Sequence, residues 1–192
     1  MIVTCHQPNF FPWEPFFKKV QNADVLVLLN HVQYNRHQYQ NRFKFNDSWC
    51  TMRVDKGNLS DLIQEKKYLN PSDDWMRIKQ RIGFDWLEEF DSLINHNLAE
   101  TNSKIIVKIV ELLKLKTKVK HDTHHVSTNA SENLLNICKR LGAKTNLSGP
   151  SGKKYLDIKM FSDAGIEVQF FSNSNLSANS DPIVKVLNAI RN

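Results

Sequence analysis

Five consecutive apolar residues, Val25-Leu26-Val27-Leu28-Leu29, stand between Asp24 and Asn30. A continuous run rich in branched residues is what a strand buried on both faces looks like. Ile2 to Cys5 is a second short apolar stretch upstream of it. Between the two, Pro12 and Pro15 let a helix begin but not pass through them, which predicts a helix from about Trp13 to Asn22. Strand, loop, helix and strand within thirty residues make a βαβ unit. Its two strands should be parallel, and a parallel sheet needs helices over both faces.

The rest of the chain extends that frame. VQYNRHQYQNRFKFND is polar and aromatic and predicts a long functional loop leading into short strands around Phe43–Phe45 and Trp49–Val54. From Leu59 to Leu113 the spacing turns helical. Trp75, Ile78, Ile82, then Leu87, Phe90, Leu93, Ile94, and finally Ile105, Ile106, Ile109, Val110 and Leu113 form apolar stripes. Ser72 or Asp73 should cap the first helix, and Thr101 or Asn102 the last. A strand follows within Val119 to Val126, then a helix capped by Ser131 that stops at Gly142. Lys144–Leu147 and Ile166–Phe171 read as strands around a helix from Lys153 to Ala164, and Asp181 or Pro182 opens a final helix. The expected architecture is one domain over 1–192, α/β with a mainly parallel sheet and a helical insertion at 58–115.

Size and composition fit one globular core: 192 residues, 41% hydrophobic and 24% charged. No apolar run reaches the length of a membrane span, no secretory leader is visible, and the three cysteines are scattered. A cytoplasmic location is expected. The formal charge of +6 is dispersed rather than gathered on one face, so nucleic acid is not the expected partner, while small phosphorylated ligands suit a modest positive field. Lys114, Lys116, Lys118 and Lys120 alternate as a solvated strand edge would.

Three stretches carry chemistry. Gln33, Tyr34, Arg36, Asn41 and Arg42 follow a buried strand and so belong at a carboxyl edge, where open α/β sheets bind ligands. LSGPSGKKYLD, after Leu147, offers Ser148, Gly149, Ser151, Gly152 and Lys153 to an anion, and serves equally as a tight strand-to-helix turn. His121-Asp122-Thr123-His124-His125 has no matching cysteines or carboxylates and reads as a surface strand, so no metal is expected. Cys5 and His6 are neighbours in a strand and point to opposite faces, which argues against a nucleophile–base pair.

His6-Gln7-Pro8-Asn9-Phe10-Phe11-Pro12-Trp13 with Phe16-Phe17, Ala23-Asp24, Val32-Gln33-Tyr34 and Asn41-Arg42 resembles the WbqC-like protein family. Ser131-Glu132-Asn133-Leu134-Leu135, Leu147 to Gly152, Tyr155-Leu156-Asp157, Phe161 and Gly165-Ile166 match its second block. The resemblance covers Ile2 to about Phe171. It implies a participant in bacterial surface-glycan and O-antigen biosynthesis acting on nucleotide-linked or amino sugars. Asn30 and His31 stand where the family pattern usually has an Asp, Phe10 or Phe11 replaces a usual tyrosine, and the usual C-terminal segment is reduced to Ser172–Ser180. In fold, the pattern also looks like the nucleotidylyltransferase type of Rossmann-like sheet.

The expected activity is acyl or aminoacyl transfer to a nucleotide-linked amino sugar, with an acyl thioester as one possible donor and no defined cofactor. His6 would be the general base, Gln7 and Gln33 would orient the sugar, Asn9 would bind substrate beside them, and Trp13 would stack on the sugar's apolar face or on the nucleotide base. Arg36, Arg42, Lys153 and the N–H groups of Gly149 to Gly152 would hold phosphates, with Tyr34 and Asn41 completing the loop. ATP-dependent nucleotidyl transfer or acyl-adenylate formation is the second reading, and a non-catalytic binding module the third. A homo-oligomer is compatible with all three.

Overall fold

The computed structural model describes residues 1–58, 60–122, 127, 129–172 and 182–191. Five strands form one parallel sheet: β1 (Ile2–His6), β2 (Val25–Leu29), β5 (Lys118–Asp122), β6 (Thr145–Ser148) and β7 (Glu167–Phe170). Their order is β5-β2-β1-β6-β7, a Rossmann-like α/β arrangement. β3 (Arg42–Phe45) and β4 (Ser48–Thr51) form a separate antiparallel hairpin, with Asn46 and Asp47 at positive φ in its turn.

The apolar run of β2 explains the layering. Leu26 and Leu28 face one core, which holds Phe10, Phe11, Phe16 and Phe17 together with Trp75, Phe90 and Ile106. Val25 and Val27 face the other, with Leu134, Leu135, Cys138 and Phe161. The first core packs α1 (Glu14–Gln21), α2 (Pro71–Ile82), α3 (Leu98–Leu112) and α6 (Ile183–Arg191), and the second packs α4 (Ala130–Leu141) and α5 (Ile158–Asp163). The strand is apolar throughout because both of its faces are covered.

The connections place the site. From β1 the chain moves outward through β2 to β5, then returns across the sheet to β6 on the opposite side of β1. The order therefore reverses between β1 and β6. These two pair only as Ile2↔Thr145 and Val3↔Asn146, after which both strands run on, β6 to Ser148 and β1 to His6. Beyond that ladder the Thr4 hydroxyl donates to the Leu147 carbonyl at 2.7 Å. The strands thus open a crevice at their carboxyl ends, where such sheets bind ligands.

Several boundaries differ from the sequence reading. α2 starts after Asn70 with Pro71 in its first turn, and neither Ser72 nor Asp73 caps it. Asp74, in that turn, instead takes the Arg53 guanidinium at 2.8 Å. Asn97 caps α3 by accepting from the Glu100 N–H, which leaves Thr101 and Asn102 buried inside the helix. Asn129 caps α4, and the Ser131 hydroxyl instead donates to the Tyr155 carbonyl and accepts from the Asp157 N–H. Lys153–Ala164 is not one helix: a 3-10 turn at Pro150–Lys154 is followed by α5, which Asp157 caps through the Met160 N–H. Leu87 to Leu93 lie in a 3-10 segment, Asp85–Leu93. The third strand ends at Asp122, and Thr123–Val126, Asp181 and most of Ser172–Ser180 lie outside the described residues. Among the described residues no helix is long and apolar enough to cross a membrane.

Candidate functional site

The crevice between β1 and β6 continues into a cavity of about 910 Å³. Four segments build it: the end of β1 with its following loop, the inner face of α1, the loop after β2, and the end of β6 with the turn after it. Cys5, His6, Gln7, Trp13, Lys19, His31, Gln33, Asn146, Ser148, Gly149, Ser151 and Tyr155 are among its lining residues. Of the candidate site residues, His6, Gln7, Trp13, Gln33, Ser148, Gly149 and Ser151 line this one cavity.

The remaining predicted residues lie elsewhere. Asn9 and Arg36 line a second, polar cavity of about 420 Å³ with Gln38 and Tyr39, and Gln7 and Asn35 border both spaces. The Arg36 guanidinium also donates to the Lys56 carbonyl at 2.7 Å. Asn41 is structural: its amide donates to the Met52 carbonyl at 2.8 Å, and its own carbonyl accepts the Met52 N–H. Arg42 lies 4.1 Å over the Trp49 ring and donates to the His37 carbonyl. Tyr34 packs its ring beside the buried Lys66 ammonium. The Lys153 ammonium sits 5.5 Å over the Phe170 ring.

The turn after β6 is tighter than a phosphate cradle requires. Pro150 has no N–H to give, and the Gly152 N–H is taken by the Gly149 carbonyl at 3.0 Å. A Cβ on Gly152 would stand 2.1 Å from the Ser148 hydroxyl and 3.0 Å from Leu156 Cδ1. Gly152 is therefore there to let Ser148 pack. Gly152→Ala should cost about 1–3 kcal/mol by overpacking, read as a lower urea midpoint. An unchanged midpoint would show that Ser148 turns aside freely.

At the end of β1 the two faces separate cleanly. Cys5 packs against the second core, where burial pushes its thiol far up and keeps it protonated. His6 meets the Phe16 ring edge-on at 4.8 Å from the other face. Its Nδ1 lies 2.8 Å from the Gln7 carbonyl, which can only accept, so Nδ1 carries the proton and Nε2 keeps its lone pair. Burial, and then the charge of Lys19, push the imidazole down to about 3, against a weaker upward effect of the Gln7 carbonyl. It is neutral at physiological pH.

The loop that follows is held from behind. Phe10 and Phe11 turn into the first core, where Phe11 stacks on Trp75 at 5.4 Å and adopts a φ of 43°. The amide of Asn102 donates to the carbonyls of Pro8 and Gln40 at 2.8 and 2.6 Å, and its oxygen accepts the Tyr68 hydroxyl at 2.7 Å. Gln40 also donates to the Gln7 side-chain oxygen at 2.7 Å, which leaves the Gln7 amine group facing away from that bond. Trp13, 50% exposed, remains at the cavity rim.

His31 and Lys19 are lining residues that the sequence reading did not assign. His31 is buried with Nδ1 3.2 Å from the Asp122 carbonyl and 3.9 Å from its carboxylate, which Arg140 holds at 3.0 Å. Asn30 does not line the cavity, so of the two residues replacing the usual Asp only His31 faces it. Lys19 had a legible signal. It lies three residues after Phe16 in an amphipathic helix, on the stripe that packs inward. Among the described residues no cluster of three or more His, Cys, Asp or Glu could hold a metal.

Comparison with known proteins places these features in a family. A model of the WbqC-like protein family matches residues 7–179, a span that begins just after β1 and includes the end of β6 and the loops that build the cavity. The uncharacterized protein Rv1507c of Mycobacterium tuberculosis is 25% identical over 216 aligned positions, covering 99% of this chain and 93% of that protein. Among solved structures, a Zn(II)-bound AdcAII variant of Streptococcus pneumoniae aligns over 98% of this chain and 95% of its own at 11% identity. Its TM-score of 0.24 carries no argument about fold or function.

Proposed function

Because the chain belongs to the WbqC-like protein family, we propose that it is an enzyme of surface-polysaccharide precursor synthesis. Its reaction is transfer of an acyl or aminoacyl group to the amine of a nucleotide-linked amino sugar. The observation that carries this reading is the layout of two spaces, about 910 and 420 Å³, that share Gln7 beside the neutral imidazole of His6. A group transfer needs room for two substrates and a proton acceptor where they meet. Trp13 at the rim offers its face to a sugar or a base.

The chemistry is simple to balance. The sugar amine attacks the thioester carbonyl, forming a C–N bond, and the cationic adduct passes one proton to His6 Nε2. Collapse of the adduct breaks the C–S bond, and the leaving thiolate takes that proton. The free imidazole is too weak a base for this step, so the bound substrates must raise it: an anionic nucleotide beside His6 favours the imidazolium and moves the base towards the operating pH.

A thermal-shift screen of nucleotide sugars and acyl-CoA thioesters tests the reading. A ligand at one hundred times its dissociation constant stabilises by about 2.7 kcal/mol. One compound of each class should shift the transition, and incubation of the pair should give an N-acylated sugar by mass spectrometry. Release of pyrophosphate from ATP without such a product would replace this reading with nucleotidyl transfer.

A further inference from the structure

The cavity has an unbalanced charge. Among the described residues its lining contains one lysine, no arginine and neither aspartate nor glutamate. The lysine is Lys19, 5% exposed, whose Nζ lies 3.5 Å from the Cys5 carbonyl and meets no carboxylate among the described residues. Its stem packs with the inward stripe of α1, as many lysine stems do, but a neutral carbonyl at that distance does not compensate a buried ammonium. A second unmet group stands nearby in the fold. Asn146 lies in β6 at the last position paired with β1, is 2% exposed, and its Nδ2 has no hydrogen-bond partner. A buried donor without a partner is costly unless a ligand supplies one.

Both donors line the cavity where the two strands part: the Asn146 amide has no acceptor, and the Lys19 ammonium has a neutral carbonyl at 3.5 Å and no counter-charge among the described residues. We propose that Lys19 and Asn146 form an anion subsite at the base of the crevice, taking the diphosphate of the nucleotide-linked substrate. Ser148 and Ser151, on the same wall, add hydroxyls. The choice of diphosphate rests on the sugar-nucleotide reading above. The subsite itself rests on a buried ammonium without a counter-charge, the unmet Asn146 amide and a lining with no acidic residue among the described residues. A lysine serves such a group as a point charge, and amide and hydroxyl donors converge on the remaining oxygens.

Burial holds the Lys19 ammonium down to about 8, so the free protein loses this charge as pH rises through that value, and a bound anion retains it. The titratable groups facing it are Cys5 and His6 on β1, with His31 and Tyr155 on other walls of the cavity. Burial keeps Cys5 and His6 uncharged near pH 8 and raises the Tyr155 phenol.

Isothermal titration of the intact chain with inorganic pyrophosphate tests the subsite. The wild type should bind, with affinity falling about tenfold between pH 7 and pH 9 as the ammonium is lost. Lys19→Met should weaken binding at least tenfold and flatten the pH dependence, and Asn146→Leu should weaken it without changing the pH slope. Ligand-free Lys19→Met should melt no lower than wild type, because an uncompensated buried charge has been removed. Unchanged affinity and slope in Lys19→Met overturn the proposal, as does a wild type that binds nucleotide sugars but not pyrophosphate. Pyrophosphate binding that depends on Lys19, with no nucleotide sugar bound, supports the subsite and removes the sugar reading instead.

Discussion

His6→Ala lowers turnover about 10²–10⁴-fold and leaves nucleotide-sugar affinity nearly unchanged. The size follows from general-base catalysis, and the separation of rate from binding follows from geometry, since the phosphate donors lie on α1 and β6 rather than on His6. The measurement is single-turnover acyl transfer beside titration of the sugar nucleotide. His6→Gln sharpens it. Glutamine offers an acceptor oxygen but cannot carry a proton at neutral pH, so recovered turnover in that variant would make His6 an orienting group and end its role as base.

The same side chain has a signature without substrate. Its folded pKa is about 3, below the ordinary 6.5, so in that window the unfolded chain binds a proton that the folded chain refuses. Stability therefore falls as pH drops from 6.5 towards 3, and is unaffected by this group above that range. His6→Gln should flatten this acid limb, seen in urea midpoints compared at neutral pH and at about pH 4.5. Equal slopes in the two proteins would mean that the imidazole is better solvated than its position implies.

Asn102→Ala should destabilise the fold by about 3 kcal/mol or more. Asn102 is fully buried, and the substitution orphans the Pro8 carbonyl and leaves the Gln40 carbonyl and the Tyr68 hydroxyl only their long contact with each other at 3.5 Å. Asn102→Asp should be no better despite its equal size. It keeps an acceptor for Tyr68 but turns an oxygen towards two carbonyls where a donor belongs. Because those carbonyls anchor the loop that carries Gln7 and Trp13, turnover should fall in both variants even below their melting temperature. A urea series with an activity assay separates the two effects. A variant as stable as wild type would show that the loop is held by its phenylalanines alone.

Asn102 also marks the limit of what the sequence discloses. As a polar residue near the start of a helix it reads as a cap, and only packing reveals that its partners lie far away along the chain. Asn97 and Asn129, which do cap, each stand immediately before their helices, and Pro71 in a first turn signals the start of α2. The βαβ unit was legible because burial on two faces leaves an unbroken apolar run. Gly142 marks the end of its helix correctly, since the C-cap there has positive φ. Strand order was not legible, because side-chain pattern reports burial and not neighbours. For that reason residue type alone points Arg36, Arg42 and Lys153 towards phosphate, while Lys19 stays hidden inside an ordinary amphipathic helix.

Gln7 has a consequence for how two reactants behave together. One amide, gripped from behind by Gln40, stands with Asn35 in the wall between two chambers. A guest in either chamber that engages the free amine end of that amide fixes it for the other. The two guests are then read jointly, with order of entry and mutual preference, instead of as independent tenants. Their combined thermal shift should differ from the sum of the separate shifts, and Gln7→Ala should restore the sum.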